Sequence, residues 1–195
     1  MFTQLQQEYE EKFGMTWVGM YGFNNTFTIA VRGDVAQEYG LETTSDLAAV
    51  SGELTFGGNP DYLERADGFP LLCETYGLEF QNVVDIDIGL KYQALAGGDI
   101  DVTNAFTTDA QLANPDADLV TLADDKHLQV NYFCSTVVRQ DALEKFPGLE
   151  DILMQMDGLL TDQEMASLNY QVEVEGLDEQ DVARDFLAEK GLLEA

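Results

Sequence analysis

Basic residues are scarce in this 195-residue chain: Lys and Arg total 9 against 37 Asp and Glu, for a formal charge of -28. A phosphate backbone would be repelled over most of such a surface, which excludes nucleic acid as a partner. With His127 as the sole histidine, no multi-histidine metal site can form, and no CxxC pair is present. The two cysteines, Cys73 and Cys134, stand beside Leu71 and Leu72 and beside Tyr132 and Phe133, a context for buried thiols rather than a disulfide. No stretch approaches the ~20 apolar residues of a membrane span. The N-terminal "MFTQLQQEYEEKFG" has no basic start and no apolar core, so it reads as an acidic amphipathic helix rather than a signal peptide. Either the protein is cytoplasmic or this chain lacks its natural beginning.

Catalytic signatures are missing too. No Ser or Cys stands in a GxSxG context, and "FGGNP" and "LAGGD" lack the spacing of a dinucleotide or phosphate loop. Carboxylates are so abundant that nominating any acid–base pair is uninformative. No catalytic residue, metal or cofactor is assigned. What the chain does have is 45% hydrophobic and 10% aromatic residues, so the acidic charge belongs on a solvated surface around a folded core. The length suits one large domain or two small lobes.

Along the chain, Phe2, Leu5, Tyr9 and Phe13 share one helical face that ends at Gly14. Strand-like runs follow at Thr26 to Val31, within "TWVGMYGFNNTFTIAVRG", and at "ELTFGG", "VVDIDIG" and "DIDVTNAF", separated by helical stretches. The helix carrying Tyr92 stops at Gly97-Gly98. This alternation predicts an α/β fold with largely parallel pairing. "VNYFCSTVV" reads as a long apolar strand, after which the chain is helical, with a capping box at Thr161 and Glu164 and a cap at Asp178. The asymmetry between the middle and the last third predicts two lobes.

The run "NAFTTD" is unusual, because a strand with an apolar face finishes in an aromatic, two hydroxyls and a carboxylate. At a strand end in an open α/β sheet, Phe106 to Asp109, Thr107 among them, would offer an aromatic face and hydrogen-bonding groups to a cleft. The alternative is that Phe106 is core and the threonines cap the next turn. Asn24-Asn25 before Phe27 is either a turn or a ligand contact. Arg65, between Glu64 and Asp67, is either a ligand group or half of a surface ion pair. Tyr132 and Phe133 alternate across one strand, so at least one should be core.

Taken in order, "FNNTF", "YLERADGFP", "LKYQALAGGDIDVTNAFTTD", "LADDKH" and "LNYQVEVEG" resemble the substrate-binding proteins of osmoprotectant ABC importers for glycine betaine, choline and carnitine. The resemblance spans nearly the whole chain. It implies a type II periplasmic-binding-protein fold with two hinged lobes, residues 16–115 forming the second lobe and residues 1–15 and 116–195 what this chain holds of an incomplete first lobe. It also implies a ligand with a quaternary ammonium, held in an aromatic box by cation–π attraction because that cation has no N–H to donate. Matched position by position, the box aromatics fall on Phe27, Phe106 and Tyr132, and the polar cleft positions on Asn25 and Arg65.

Two departures accompany the match. Phe27 and Phe106 stand where the family often has tyrosine, which keeps the π face and loses the hydroxyl. The family's opening βαβ segment has no counterpart here, which predicts self-association through uncovered apolar surface. The implied partners are a small quaternary-ammonium or zwitterionic ligand and a membrane permease with its cytoplasmic ATPase. The implied location is extracytoplasmic, by lipid anchor or permease fusion. The alternatives are a binding protein for another small zwitterion, such as an amino acid or a trimethylated derivative, and an enzyme or sensor on the same fold.

Overall fold

The computed structural model describes residues 2–193, apart from the Phe2 side chain. Its strands are β1 (Met15–Val18), β2 (Phe27–Arg32), β3 (Thr55–Gly58), β4 (Asn82–Asp85), β5 (Val102–Phe106), β6 (Leu119–Leu122) and β7 (Thr136–Arg139). The chain forms two compact units, one of Met1–Asn25 with Asn131–Ala195 and one of Thr26–Val130. The crossings therefore fall later than residues 15 and 115. Strand pairing accounts for this: β1 pairs with β7, whereas β6 pairs with β2.

In the Thr26–Val130 unit, five strands lie in the order β4-β3-β5-β2-β6. β3 pairs in parallel with β4 and β5, as helical crossovers require, but β2 is antiparallel to both β5 and β6. The expectation of largely parallel pairing is corrected here. β2 opens the unit at Thr26 with no crossover before it, so nothing imposes a parallel neighbour. Both faces of the sheet are covered. On one, Ile29, Val31, Phe56, Val102 and Leu122 pack with Tyr62, Leu72 and Tyr76 from the helices Pro60–Glu64 and Phe69–Tyr76. On the other, Ala30, Ile100 and Ala105 pack with Leu95 and Tyr92 of the helix Lys91–Gly97. That helix ends where glycine predicts: Gly98 takes φ +77° and its N–H returns to the Leu95 carbonyl at 3.2 Å. β5, central and covered on both sides, is buried from Val102 through Ala105, polar Thr103 and Asn104 included.

The other unit has only β1 and β7, antiparallel with Met15 opposite Arg139, and helices including Phe2–Phe13, Asp162–Glu173 and Glu179–Glu189. The capping box forms as expected: Glu164 N–H donates to Thr161 Oγ1 at 3.2 Å and Thr161 N–H to Glu164 Oε2 at 2.8 Å. Asp178 accepts from the backbone of Gln180 at 2.9 Å. The long strand expected over "VNYFCSTVV" shortens to Thr136–Arg139, because residues 130–135 meet their neighbours through one isolated bridge, Asn24 to Phe133, and single backbone bonds rather than a ladder. Tyr132 and Phe133 are accordingly 46% and 49% exposed, so neither is core in this unit. Both cysteines are free thiols and half-buried; burial pushes Cys73 up to about 11.

Candidate functional site

Phe27 begins β2 and Phe106 ends β5, and the antiparallel register sets them directly opposite each other. Their rings stack with centroids 4.9 Å apart and planes 28° apart. The helix Pro60–Glu64 adds the Tyr62 ring, 4.9 Å from Phe27 and tilted by 60°. Burial pushes the Tyr62 phenol well above its ordinary value, so it stays neutral throughout the physiological range. Arg65 follows that helix, with its guanidinium carbon 5.7 Å from the Phe27 centroid. Asp67 fixes the guanidinium through Nε at 2.7 Å and Nη2 at 2.8 Å. Ion pair and aromatic contact are thus two properties of one side chain.

The strand end resolves around Asp109. Its Oδ2 accepts from Lys91 Nζ at 2.9 Å, Tyr92 Oη at 2.6 Å and the Phe106 backbone N–H at 3.0 Å. Lys91 is a buried lysine, its side chain 5% exposed, and its ammonium lies 5.6 Å from the Phe106 centroid and 4.9 Å from that of Tyr92. Burial of a lysine requires such a partner. Thr107 continues the β2–β5 pairing past the strand end: its N–H donates to the Thr26 carbonyl at 3.0 Å, and its Oγ1 accepts from Thr26 N–H at 3.2 Å. The carboxylate therefore locks the backbone that carries Phe106. Sequence reasoning missed Tyr62, Lys91 and Asp109 in these roles. The available signal was Tyr62 three residues before Arg65, one helical turn away.

Phe27, Tyr62, Arg65, Phe106 and Thr107 are gathered in one unit; Asn25 and Tyr132 belong to the other. There, Asn25 N–H donates to the Tyr132 carbonyl at 3.1 Å, while Tyr132 N–H donates to Asn24 Oδ1 at 2.6 Å. Asn24 further donates from Nδ2 to Asn131 at 3.0 Å and from its backbone to Asp162 at 2.6 Å. The asparagine pair is thus a structural tie as well as a candidate contact. "DDKH" has its own explanation in the Thr26–Val130 unit. Asp124 accepts from Tyr76 Oη, Leu128 N–H and Gln129 N–H, and His127 sits at the turn with φ +53°. This is loop architecture and calls for no catalytic histidine. Stacked rings, a neutral phenol and a guanidinium supply π faces and a cation. Such groups are suited to holding and orienting a ligand, and they include no activated nucleophile.

The architecture defines the class: the fold is that of the type II periplasmic binding proteins. The chain belongs to the family described as the substrate-binding domain of ABC-type glycine betaine transport systems, whose family model matches residues 1–189. It is 39% identical over 191 residues to the Helicobacter pylori (strain G27) ergothioneine transport permease/ergothioneine binding protein EgtU, covering 98% of this chain and 34% of that protein. It is 34% identical to the Listeria monocytogenes carnitine transport binding protein OpuCC, covering 97% of this chain and 61% of the relative. The chain thus spans between one third and three fifths of these relatives' lengths. Among solved structures, that of a glycine betaine/carnitine/choline ABC transporter superposes with a TM-score of 0.87 at 34% identity, over 96% of this chain and 68% of the other.

Proposed function

We propose that the chain is the extracytoplasmic solute-binding part of an ABC importer for small quaternary-ammonium solutes, with glycine betaine, carnitine and choline as the candidate ligands. The observation that carries this reading is the Phe27–Phe106 pair at adjoining strand ends, with Tyr62 beside it. A trimethylammonium group has no hydrogen to donate, so aromatic faces are the groups suited to desolvate it, at roughly 0.5–2 kcal/mol per contact. In this reading Thr26–Val130 is the second lobe and the other unit, which carries the candidate residues Asn25 and Tyr132, belongs to the first lobe. Closure of the lobes on the ligand presents the complex to a membrane permease driven by a cytoplasmic ATPase. A lipid anchor or fusion to the permease would hold the protein at the membrane. No described helix is long and apolar enough to cross it.

A second reading, ergothioneine or another trimethylated amino-acid derivative, draws on the 39% identity to the ergothioneine-binding relative. Isothermal titration calorimetry with glycine betaine, carnitine, choline and ergothioneine tests both readings. The expected result is saturable binding of at least one, with Phe106→Ala and Phe27→Ala each weakening it between about twofold and thirtyfold. Unchanged affinity in both variants would remove the aromatic site from the reading.

A further inference from the structure

One buried polar side chain near the aromatic pair has no intramolecular use. Asn104 lies in the middle of β5, 1% exposed, and neither its Nδ2 nor its Oδ1 has a hydrogen-bond partner. Burying a primary amide unpaired is costly, and folded proteins avoid it outside functional sites. Other buried polar side chains of this unit behave otherwise. Thr103 Oγ1 donates to the Gly57 carbonyl at 2.7 Å, Thr44 Oγ1 to the Ala123 carbonyl at 3.2 Å, and Lys91 to Asp109 at 2.9 Å. A valine at position 104 would fill a sealed strand position without any unmet hydrogen bond, so folding alone gives no reason for the amide.

Its place points to the reason. Alternation along β5 sets Asn104 on the same face as Phe106, two residues or roughly 6.8 Å away. Its register partner on β2 is Ile29, two residues from Phe27 and on that same face. On β3 the adjoining position is Gly58, where a Cβ would stand 3.3 Å from Asn104 Oδ1. The glycine brings no side chain of its own there, and Leu63 and Phe56 close that flank, each 3.0 Å from the same point. Leu63, like Phe27 on this side of the sheet, is only partly buried, and a ligand can displace such side chains.

We propose that Asn104 is the specificity-determining residue for the polar end of the ligand, its Nδ2 donating to a carboxylate oxygen once the quaternary ammonium is seated on Phe27 and Phe106. The inference rests on the quaternary-ammonium reading above and adds to it a preference for carboxylate-bearing zwitterions. The ammonium end cannot accept from Nδ2, because it carries no lone pair; the carboxylate end of a zwitterion can. An amide donor to a charged acceptor also discriminates strongly against ligands that lack that acceptor.

The test compares the wild type with Asn104→Leu and Asn104→Val, using glycine betaine and tetramethylammonium as probes in calorimetry and thermal unfolding without ligand. In the variants, the dissociation constant for glycine betaine is expected to rise roughly tenfold to a hundredfold. That for tetramethylammonium should stay within about twofold, and the unliganded melting temperature should hold or rise because an unpaired buried amide has been removed. Wild-type binding of both probes with unchanged glycine betaine affinity in the variants would overturn the assignment of Asn104 alone. Variants that melt several degrees lower, or do not fold, would show that the amide serves the core and would overturn it as well. If the wild type binds neither probe, the quaternary-ammonium reading itself fails and this inference falls with it.

Discussion

In the Thr26–Val130 unit the central strand is sealed on both faces, and Phe56 is fully buried among Phe69, Phe80 and Tyr62, with centroids 4.6, 5.1 and 6.3 Å away. In the other unit the only buried apolar side chains among the described residues are Val18, Leu160, Ala166 and Val182, while Phe13, Phe146 and Ile152 stay exposed. The same chain thus contains a unit held by its core and a unit held largely by caps, a two-stranded pairing and local hydrogen bonds. The difference shows where a polar group can be put to use. Inside the sealed sheet an amide or an ammonium must have a partner or a purpose, whereas at the surface of the other unit water is always available.

The comparison predicts unequal sensitivity to substitution. Phe56→Ala should cost about 3–5 kcal/mol by lost burial and the cavity left behind. Ile152→Ala in the other unit should stay within about 0.5 kcal/mol. Urea unfolding of the two variants measures both, and equal costs would dissolve the distinction. Next in size is Lys91→Met, which leaves the Asp109 carboxylate without its ion partner: about 3 kcal/mol is expected. Glycine betaine affinity should fall as well, because Asp109 also holds the Phe106 backbone; a stability loss with affinity intact would separate the clamp from the site.

In the cap-dominated unit, Thr161→Ala removes an acceptor for the Glu164 N–H and should cost about 1 kcal/mol, read by circular dichroism in a thermal melt. The smallest effect concerns pH. Hydrogen bonds from Lys190 first, and then from Thr161, hold Glu164 down at about 2 from its ordinary 4.5. A carboxyl depressed on folding contributes stability that is complete above its unfolded value. It is lost as pH falls from about 4.5 towards 2. Glu164→Gln should flatten that part of the stability–pH curve, and an unchanged curve would show that Glu164 adds nothing measurable at the surface.

Much of the site was legible because it is written in short-range patterns. The alternation of "DIDVTNAF" placed Phe106 at a strand end, and the glycines at 97 and 98 marked the helix stop before it. Arg65 beside Asp67 read as either an ion pair or a ligand group; the structure shows the ion pair and adds the Phe27 ring beside it. Tyr62, Lys91 and Asp109 were not legible in these roles. Their partners are set by register and helix docking, which local periodicity does not encode. The antiparallel placement of β2 escaped for the same reason, and so did the loss of "VNYFCS" from the strand expected there, since a run's apolar character does not supply a partner for its backbone.

What the sequence determined by itself was the order of helices and strands, their capping residues, the acidic surface and the scarcity of catalytic and metal-binding groups. These follow from propensity, capping chemistry and composition, all properties of neighbours along the chain. The tertiary structure alone decided that Phe27 faces Phe106, that one carboxylate gathers a lysine, a phenol and a backbone N–H, and that Asn104 is buried without a partner. Each of these depends on which strands lie side by side and in what register, a choice made by burying both faces of the sheet at once.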